Sequence, residues 1–299
     1  MQLEMRARAK RRRTYRRIII VGVIAGIVLL LIFGFYLAYT ASNQLEPTIG
    51  KPVSQADLAT LKQLSLAPYG PSGALLLSDV KGNSGSLLTA YGKPVVVYIG
   101  ADYCPYCAVQ RWSLIMALMR FGNFSNLSYM ASSPSEGDYP TFTFHDSSYT
   151  SKYLVFRGYE QEDRNYQPQD TVPSNYTGLF QQYNSYYPFI NFGNKYVISG
   201  AMVDPSPLAG KNWAGVFNDI STGTAFGTQI KESANVITAV ICKLTGDQPG
   251  GVCNQSPVND LTLGLTSYSL TSPGIVSQAG SPSSFLATWA AVPTSSQHE

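Results

Sequence analysis

"VVVYIGADYCPYCAVQRW", residues 95–112, carries the reading on which the rest of the chain turns. Val95 to Ile99 form an apolar run of β-branched and aromatic residues, the composition of a buried strand. Gly100 ends the run, and two cysteines follow at C-x-x-C spacing, Cys104 and Cys107. Pro105 between them suits the first turn of a helix, where its missing N–H had no partner to lose. Trp112, Ile115, Met116 and Met119 then recur at helical spacing until Gly122 and Asn123 stop the pattern. A cysteine between a strand and a helix has its thiolate stabilised by free N–H groups and by the helix dipole. The spacing therefore casts Cys104 as a nucleophile and Cys107, one turn on, as its resolving partner. On the residues alone two rival uses stay open: an inert structural disulfide, and part of a metal site. Zinc takes four ligands, and the only histidine besides His298 is His145, beside Asp146, which reads as a surface or structural group. An iron–sulfur cluster shared between two chains is a further form of the metal reading; no metal is expected.

Further along, "YPFINFGNKYVISGA", residues 187–201, reads as a β-hairpin, two apolar runs around Gly193-Asn194-Lys195. Other expected elements are a short helix capped by Ser54, a strand in "ALLLSDV", and strands in "LSYMASS", "TFTFHD" and "KYLVFRGY". A helix follows near Ser174 and Asn175, and two more lie in "PLAGKNWAGVFNDI" and "QIKESANVITAVICKL", the last ended by Gly246. Strands interleaved with helices indicate an α/β fold. No internal repeat is present.

Strand, then Cys104-Pro105-Tyr106-Cys107, then helix resembles the thioredoxin-like superfamily, with the dipeptide found in glutaredoxins. Members of that superfamily carry a cis-proline at the start of the strand that feeds the final hairpin, facing the cysteines. "Tyr187-Pro188-Phe189-Ile190-Asn191-Phe192" looks like that element, so the resemblance gives Pro188 the cis-proline role and gives the Tyr187 backbone a role in pairing with a bound peptide. Tyr103 and Tyr106, which flank Cys104, join Tyr187 as expected substrate contacts. The match spans roughly residues 92–245. More narrowly, "YIGADYCPYCAVQRW" and "ANVITAVICKLTGDQPGGVC" resemble an archaeal family of membrane-anchored thioredoxin-like proteins catalogued as a domain of unknown function. The chain departs from the superfamily at one position. Thioredoxins place a buried, proton-shuttling carboxylate six residues before the first cysteine, and here Tyr98 stands there. Asp102, two residues before Cys104, is expected at the surface. Arg111, one turn beyond Cys107, either favours a thiolate or is a solvated or ion-paired arginine, and both are expected as supporting residues.

Residues 18–39, "IIIVGVIAGIVLLLIFGFYLAY", carry no charged side chain. About 20 such residues span a hydrocarbon core of about 30 Å, and a cleaved signal peptide has a shorter apolar region of about 7–15 residues. The expectation is an uncleaved single-pass anchor in the cell membrane. Eight basic residues between Arg6 and Arg17, against Glu4 alone, keep residues 1–17 in the cytoplasm and the rest outside it. They also account for the net charge of +3, so the remainder of the chain is acidic and nothing points to nucleic-acid binding. Charged residues are only 13% of the chain, about half the usual share. All four cysteines lie in the outer part, where an even number fits disulfides. Cys242 and Cys253 close a short loop through "GDQPGG" and are expected as a structural disulfide. Sequons stand at Asn123, Asn126, Asn175 and Asn254.

The expected organisation is a cytoplasmic tail 1–17, an anchor 18–39, a linker 40–53, a thioredoxin-like domain 54–254 with an insertion at about 134–187, and an extended Ser/Thr/Pro-rich tail 255–299. Its sheet is a mixed central one flanked by helices. The expected function is thiol–disulfide exchange on protein cysteines. It needs no cofactor beyond the cysteine pair itself, which an unidentified membrane or soluble partner recycles. No glutathione-site pattern is present. The alternative is a non-catalytic binding or assembly module on the same scaffold. Its grounds are the Tyr/Asn-rich insertion, the sequon-bearing surface and the missing buried acid.

Overall fold

A computed structural model of the chain describes residues 19–34, 45–67 and 69–271. Residues 19–34 form helix α1, whose side chains are all exposed. Sixteen residues rise about 24 Å, less than the ~30 Å of a hydrocarbon core. Among the described residues no helix is long and apolar enough to cross a membrane. The basic tail and both ends of the expected anchor lie outside the described residues. Helix α2 (Gln55–Leu66) is capped by the Ser54 hydroxyl, which accepts from the Asp57 N–H, as the sequence implies.

The sheet is built on three strands that follow: β1 (Lys81–Gly82), β2 (Thr89–Ala90) and β3 (Lys93–Gly100). Val95, Val96, Val97, Tyr98 and Ile99 are all fully buried. Such a run, apolar on both faces, belongs at the centre of a sheet covered on two sides. Its side chains alternate between two cores. Val96 and Tyr98 enter the large core with Trp112, Ile115 and Ile237, whereas Val95, Val97 and Ile99 meet Phe180 and Phe189. Helix α3 (Pro105–Met119) carries the cysteines, and every residue from Cys107 to Met119 is buried. A helix buried on all sides needs partners on all sides.

Strands β4 (Gly122–Ser125), β5 (Ser128–Ala131), β6 (Pro140–Thr143) and β7 (Ser148–Ser151) make two small antiparallel pairs, β4 with β7 and β5 with β6. Strand β8 (Val155–Glu160) then returns to the main sheet, parallel to β3, with Gly100 opposite Glu160. It lies inside the span read as an insertion and is a strand of the central sheet. Helix α4 (Ser174–Gln182) leads to the hairpin of β9 (Phe189–Phe192) and β10 (Tyr196–Ser199), which pairs β9 antiparallel to β3. The sheet order is β1-β10-β9-β3-β2, with β8 also on β3.

Helix α6 (Ala225–Thr245) packs on β3 and β9, and α5 (Trp213–Thr222) packs on α6; Asn212 and Thr224 cap α5 and α6, and Gly223 and Gly246, both left-handed, end them. Arg120, at the end of α3, ties the layers together. It donates to Ser65 O at 3.0 Å, Asn235 Oδ1 at 3.0 Å and Thr238 Oγ1 at 2.6 Å, and lies 3.8 Å from the Tyr69 ring centroid.

Three further expectations change. "ALLLSDV" is a 3-10 turn over Ala74–Asp79, not a strand. Part of the expected linker is packed: Leu45 and Val53 are buried, and Gly50 and Val53 donate backbone hydrogen bonds to Tyr129 O and Leu127 O. The expected extended tail starts as structure. After α7 (Gly250–Cys253), α8 (Val258–Thr271) buries Val258, Leu261 and Leu265. Those three recur at helical spacing among Ser and Thr, whose preference for caps and turns masked the pattern.

Candidate functional site

Cys104 is the N-cap of α3 in extended conformation, and its sulfur accepts a hydrogen bond from the Cys107 N–H at 3.2 Å. The local sequence dictates this. Gly100 ends the strand, Ala101 O receives the Cys104 N–H, and Pro105 starts the helix without an orphan donor. Both cysteines are free thiols; Cys104 is 6% exposed and Cys107 fully buried. Their acidities diverge. A hydrogen bond with the Cys107 thiol, aided by the Cys107 and Tyr106 amides and the positive field of Arg111, outweighs burial and holds Cys104 below the ordinary thiol range. Burial, the hydrogen bond given to Cys104 and the negative charge there push Cys107 well up. One sulfur is prepared as a thiolate and the other as a thiol.

Beneath the pair lies a buried charge cluster. Arg111 Nε and Nη2 donate to the two Glu160 carboxylate oxygens at 2.8 and 2.6 Å, and Nη2 also donates to Ala101 O at 2.7 Å. Asp102 Oδ1 is 3.4 Å from the same Nη2, while its Oδ2 accepts from Thr143 at 3.1 Å and Gln169 at 3.0 Å. All three charged side chains are fully buried. Asp102 is thus the opposite of the expected surface residue, and Arg111 is an ion-paired arginine rather than a solvated one. Burial raises both carboxyls, opposed by the Arg111 charge. One guanidinium faces two carboxyls, so the cluster has room for a proton that it can release or take up.

Tyr98, where the superfamily pattern has its acid, is buried with its hydroxyl unpaired, and burial raises its pKa well above the ordinary phenol value. The buried acid comes from another strand. Glu160 was not legible in the sequence, where it stands just after the strand-like run that ends at Tyr159.

Tyr187 and Pro188 are joined by a cis peptide bond, and Tyr187 packs on the cluster of Ala101, Cys104 and Cys107. The Tyr187 hydroxyl donates to Gln161 Oε1 at 2.9 Å and its ring stacks on Phe180 at 5.9 Å. Tyr103 also packs on the cysteines and stacks on Tyr166, another residue the sequence did not single out, at 4.3 Å. Tyr106 projects outward, 54% exposed.

Away from this site, Cys242 and Cys253 are bonded, tying the end of α6 to α7. His145 is half-buried, its Nδ1 2.7 Å from Asp170 Oδ1. Among the described residues no group of three or more His, Cys, Asp or Glu side chains is placed to hold a metal ion.

No curated protein and no solved structure matches the chain. A family model described as a domain of unknown function, DUF929, matches residues 82–243. That span is more than half of the chain and holds Cys104, Cys107, Arg111, Glu160 and Pro188, so the chain belongs to the DUF929 family.

Proposed function

We propose that the chain is a thiol–disulfide oxidoreductase of the thioredoxin-like kind, acting on protein cysteines outside the cytoplasm from a membrane anchor at residues 18–39. The observation that carries this reading is the Cys104 sulfur at the helix N-terminus, accepting from the Cys107 amide with the cis Tyr187–Pro188 wall beside it. The element order also supports it: a strand, the cysteine helix, a parallel strand, a helix, an antiparallel hairpin and a helix.

In the reductive direction the Cys104 thiolate attacks one sulfur of a substrate disulfide. A Cys104–substrate bond forms, the substrate S–S bond breaks, and the second substrate sulfur leaves as a thiolate. Cys107 then gives its proton to the Asp102–Arg111–Glu160 cluster and attacks Cys104 Sγ. The mixed disulfide breaks, the first substrate sulfur leaves with its electron pair, and the cysteine pair ends oxidised by two electrons. Run backwards, the same steps oxidise a substrate dithiol. Arg111 lies one helical turn from Cys107, and its charge acts on both cysteines.

The binding-module alternative leaned on the missing buried acid, and Glu160 removes that ground. The test is insulin-disulfide reduction by the full chain in detergent with a dithiol donor. Turnover by the wild type that disappears in Cys104→Ser supports the reading; no turnover with several dithiol donors overturns it.

A further inference from the structure

We infer that the surface around Cys104 selects substrate cysteines flanked by lysine or arginine. The inference rests on the thiol-exchange reading and names its substrate class.

The loop after β8 folds back on itself through a bridge between Glu162 and Pro168, and lays Tyr166 on Tyr103 beside the cysteines. Glu162 is anchored beside the cysteine turn: its backbone O accepts from the Asp102 N–H at 2.8 Å, and the neighbouring Gln161 side chain accepts from the Tyr187 hydroxyl at 2.9 Å. Burial first, and then the Glu162 charge, push Tyr103 up to about 12 and Tyr187 higher still. Tyr103 and Tyr187 both pack on the cluster of Ala101, Cys104 and Cys107, so the loop, the rings and the sulfurs share one locality. On the far side of Tyr166, its hydroxyl meets Ser135 Oγ at 3.1 Å and Glu136 Oε1 at 3.4 Å. Asp163 follows Glu162, and one of its oxygens is engaged by the Asn165 and Gln167 amides.

The cations nearby are all committed. Arg111 is buried against Glu160 and Asp102. Arg164 is bound to Glu46 at 2.6 Å, to Asp138, and to Ser132 O at 3.1 Å. Segments 100–107, 132–138, 161–170 and 185–188 contain no other Lys or Arg. Glu136, Glu162 and Asp163 take part in no salt bridge among the described residues. The rim is therefore negative and studded with tyrosine faces, Tyr106 and Tyr166 being 54% and 41% exposed.

A cation entering this rim neutralises carboxylates that no protein cation serves, and it rests on the rings. A lysine or arginine beside the substrate cysteine also lowers that thiol's pKa, which makes it a better leaving group in exchange. Acidic substrates meet like charge at the same place.

The test uses the full chain carrying Cys107→Ser, which cannot resolve the adduct. Three short peptides each hold one cysteine capped as the thionitrobenzoate disulfide and flanked by Lys, Ala or Glu. Cys104 attacks the peptide sulfur and releases coloured thionitrobenzoate, whose appearance gives the rate. The expected order is Lys, then Ala, then Glu. The Lys-to-Glu ratio should be about tenfold or more at ~0.01 M ionic strength and collapse near 1 M, where the Debye length is about 3 Å. Adding Glu162→Gln and Asp163→Asn compresses that ratio, whereas Asp260→Asn on α8 leaves it in place. Equal rates for the three peptides, or a ratio untouched by the double substitution, overturn the inference alone. Absence of adduct with all three overturns the thiol-exchange reading, and this inference with it.

Discussion

The Arg111 guanidinium grips both carboxylate oxygens of Glu160, at 2.6 and 2.8 Å, with neither side chain exposed. Forty-nine positions separate them in the chain. The parallel pairing of β3 and β8, which sets Gly100 opposite Glu160, brings them together under the cysteines. A buried pair of this kind is weak evidence for stability but a costly thing to break. Arg111→Leu should therefore lower unfolding free energy by about 3–5 kcal/mol, read from urea denaturation, because two buried carboxyls lose their cation.

Glu160→Gln separates the chemistry from the fold. If the cluster takes the Cys107 proton, the first thionitrobenzoate burst survives and resolution of the mixed disulfide slows by about 100-fold, a usual size for losing a general base. The pH dependence of stability has a fixed sign. Burial raises the folded-state pKa of Glu160 and Asp102. Their contribution is thus complete below the unfolded values near 4 and is lost as pH rises through the folded ones. Glu160→Gln should flatten that decline in urea midpoints measured from pH 4 upward.

Iodoacetamide should mark Cys104 and spare Cys107. Cys104 is held below the ordinary thiol value chiefly by the hydrogen bond from Cys107, so its alkylation should reach half-maximal rate below the pH typical of a free cysteine. Cys107→Ala removes that donor and should move the profile upward, whereas Cys107→Ser keeps a hydroxyl donor and should move it less. Equal profiles for the two variants would contradict the assigned cause. Peptide mass mapping identifies the labelled sulfur.

Tyr98→Phe should be neutral or stabilising by up to about 1 kcal/mol, since it removes a buried hydroxyl that has no hydrogen-bond partner. The ring itself stays, edge-on to Phe144 at 4.9 Å. A clear loss in thermal midpoint or in thiol exchange would show that the hydroxyl has a role.

Leu261→Ala should cost about 2–5 kcal/mol, the range for emptying a buried leucine site. Leu261 lies on α8, only 2% exposed, in the stretch whose sequence reads as an extended tail. An unchanged denaturation midpoint would mean that α8 does not hold the fold.

What the sequence made legible was local. Val95 to Ile99 announced a central strand by composition, Pro105 announced the helix start, and the runs on either side of Gly193 announced the hairpin. Each depends on neighbours within a turn or two. What stayed hidden depends on pairing across the fold. Glu160 is an ordinary acid until β8 finds its register, and Asp102, two residues before Cys104, reads as surface until Gln169 and Thr143 close over it. Tyr166 gains meaning only when its loop folds back on Tyr103. The α8 stripe was visible in principle, but Ser and Thr content outweighed three spaced apolar residues.

The Cys242–Cys253 bond is sealed from collision, with its two residues 0% and 2% exposed, while Cys104 keeps a small opening to solvent. A mild reductant should reach one pair and leave the other untouched. On the thiol-exchange reading the chain holds two kinds of sulfur pair, a sealed bond that stays as folding left it and an open pair that follows its surroundings. A molecule in which Cys242 and Cys253 react with a thiol reagent has come apart at the α6–α7 corner, so the sealed bond serves as a built-in gauge of whether the protein under test is still whole.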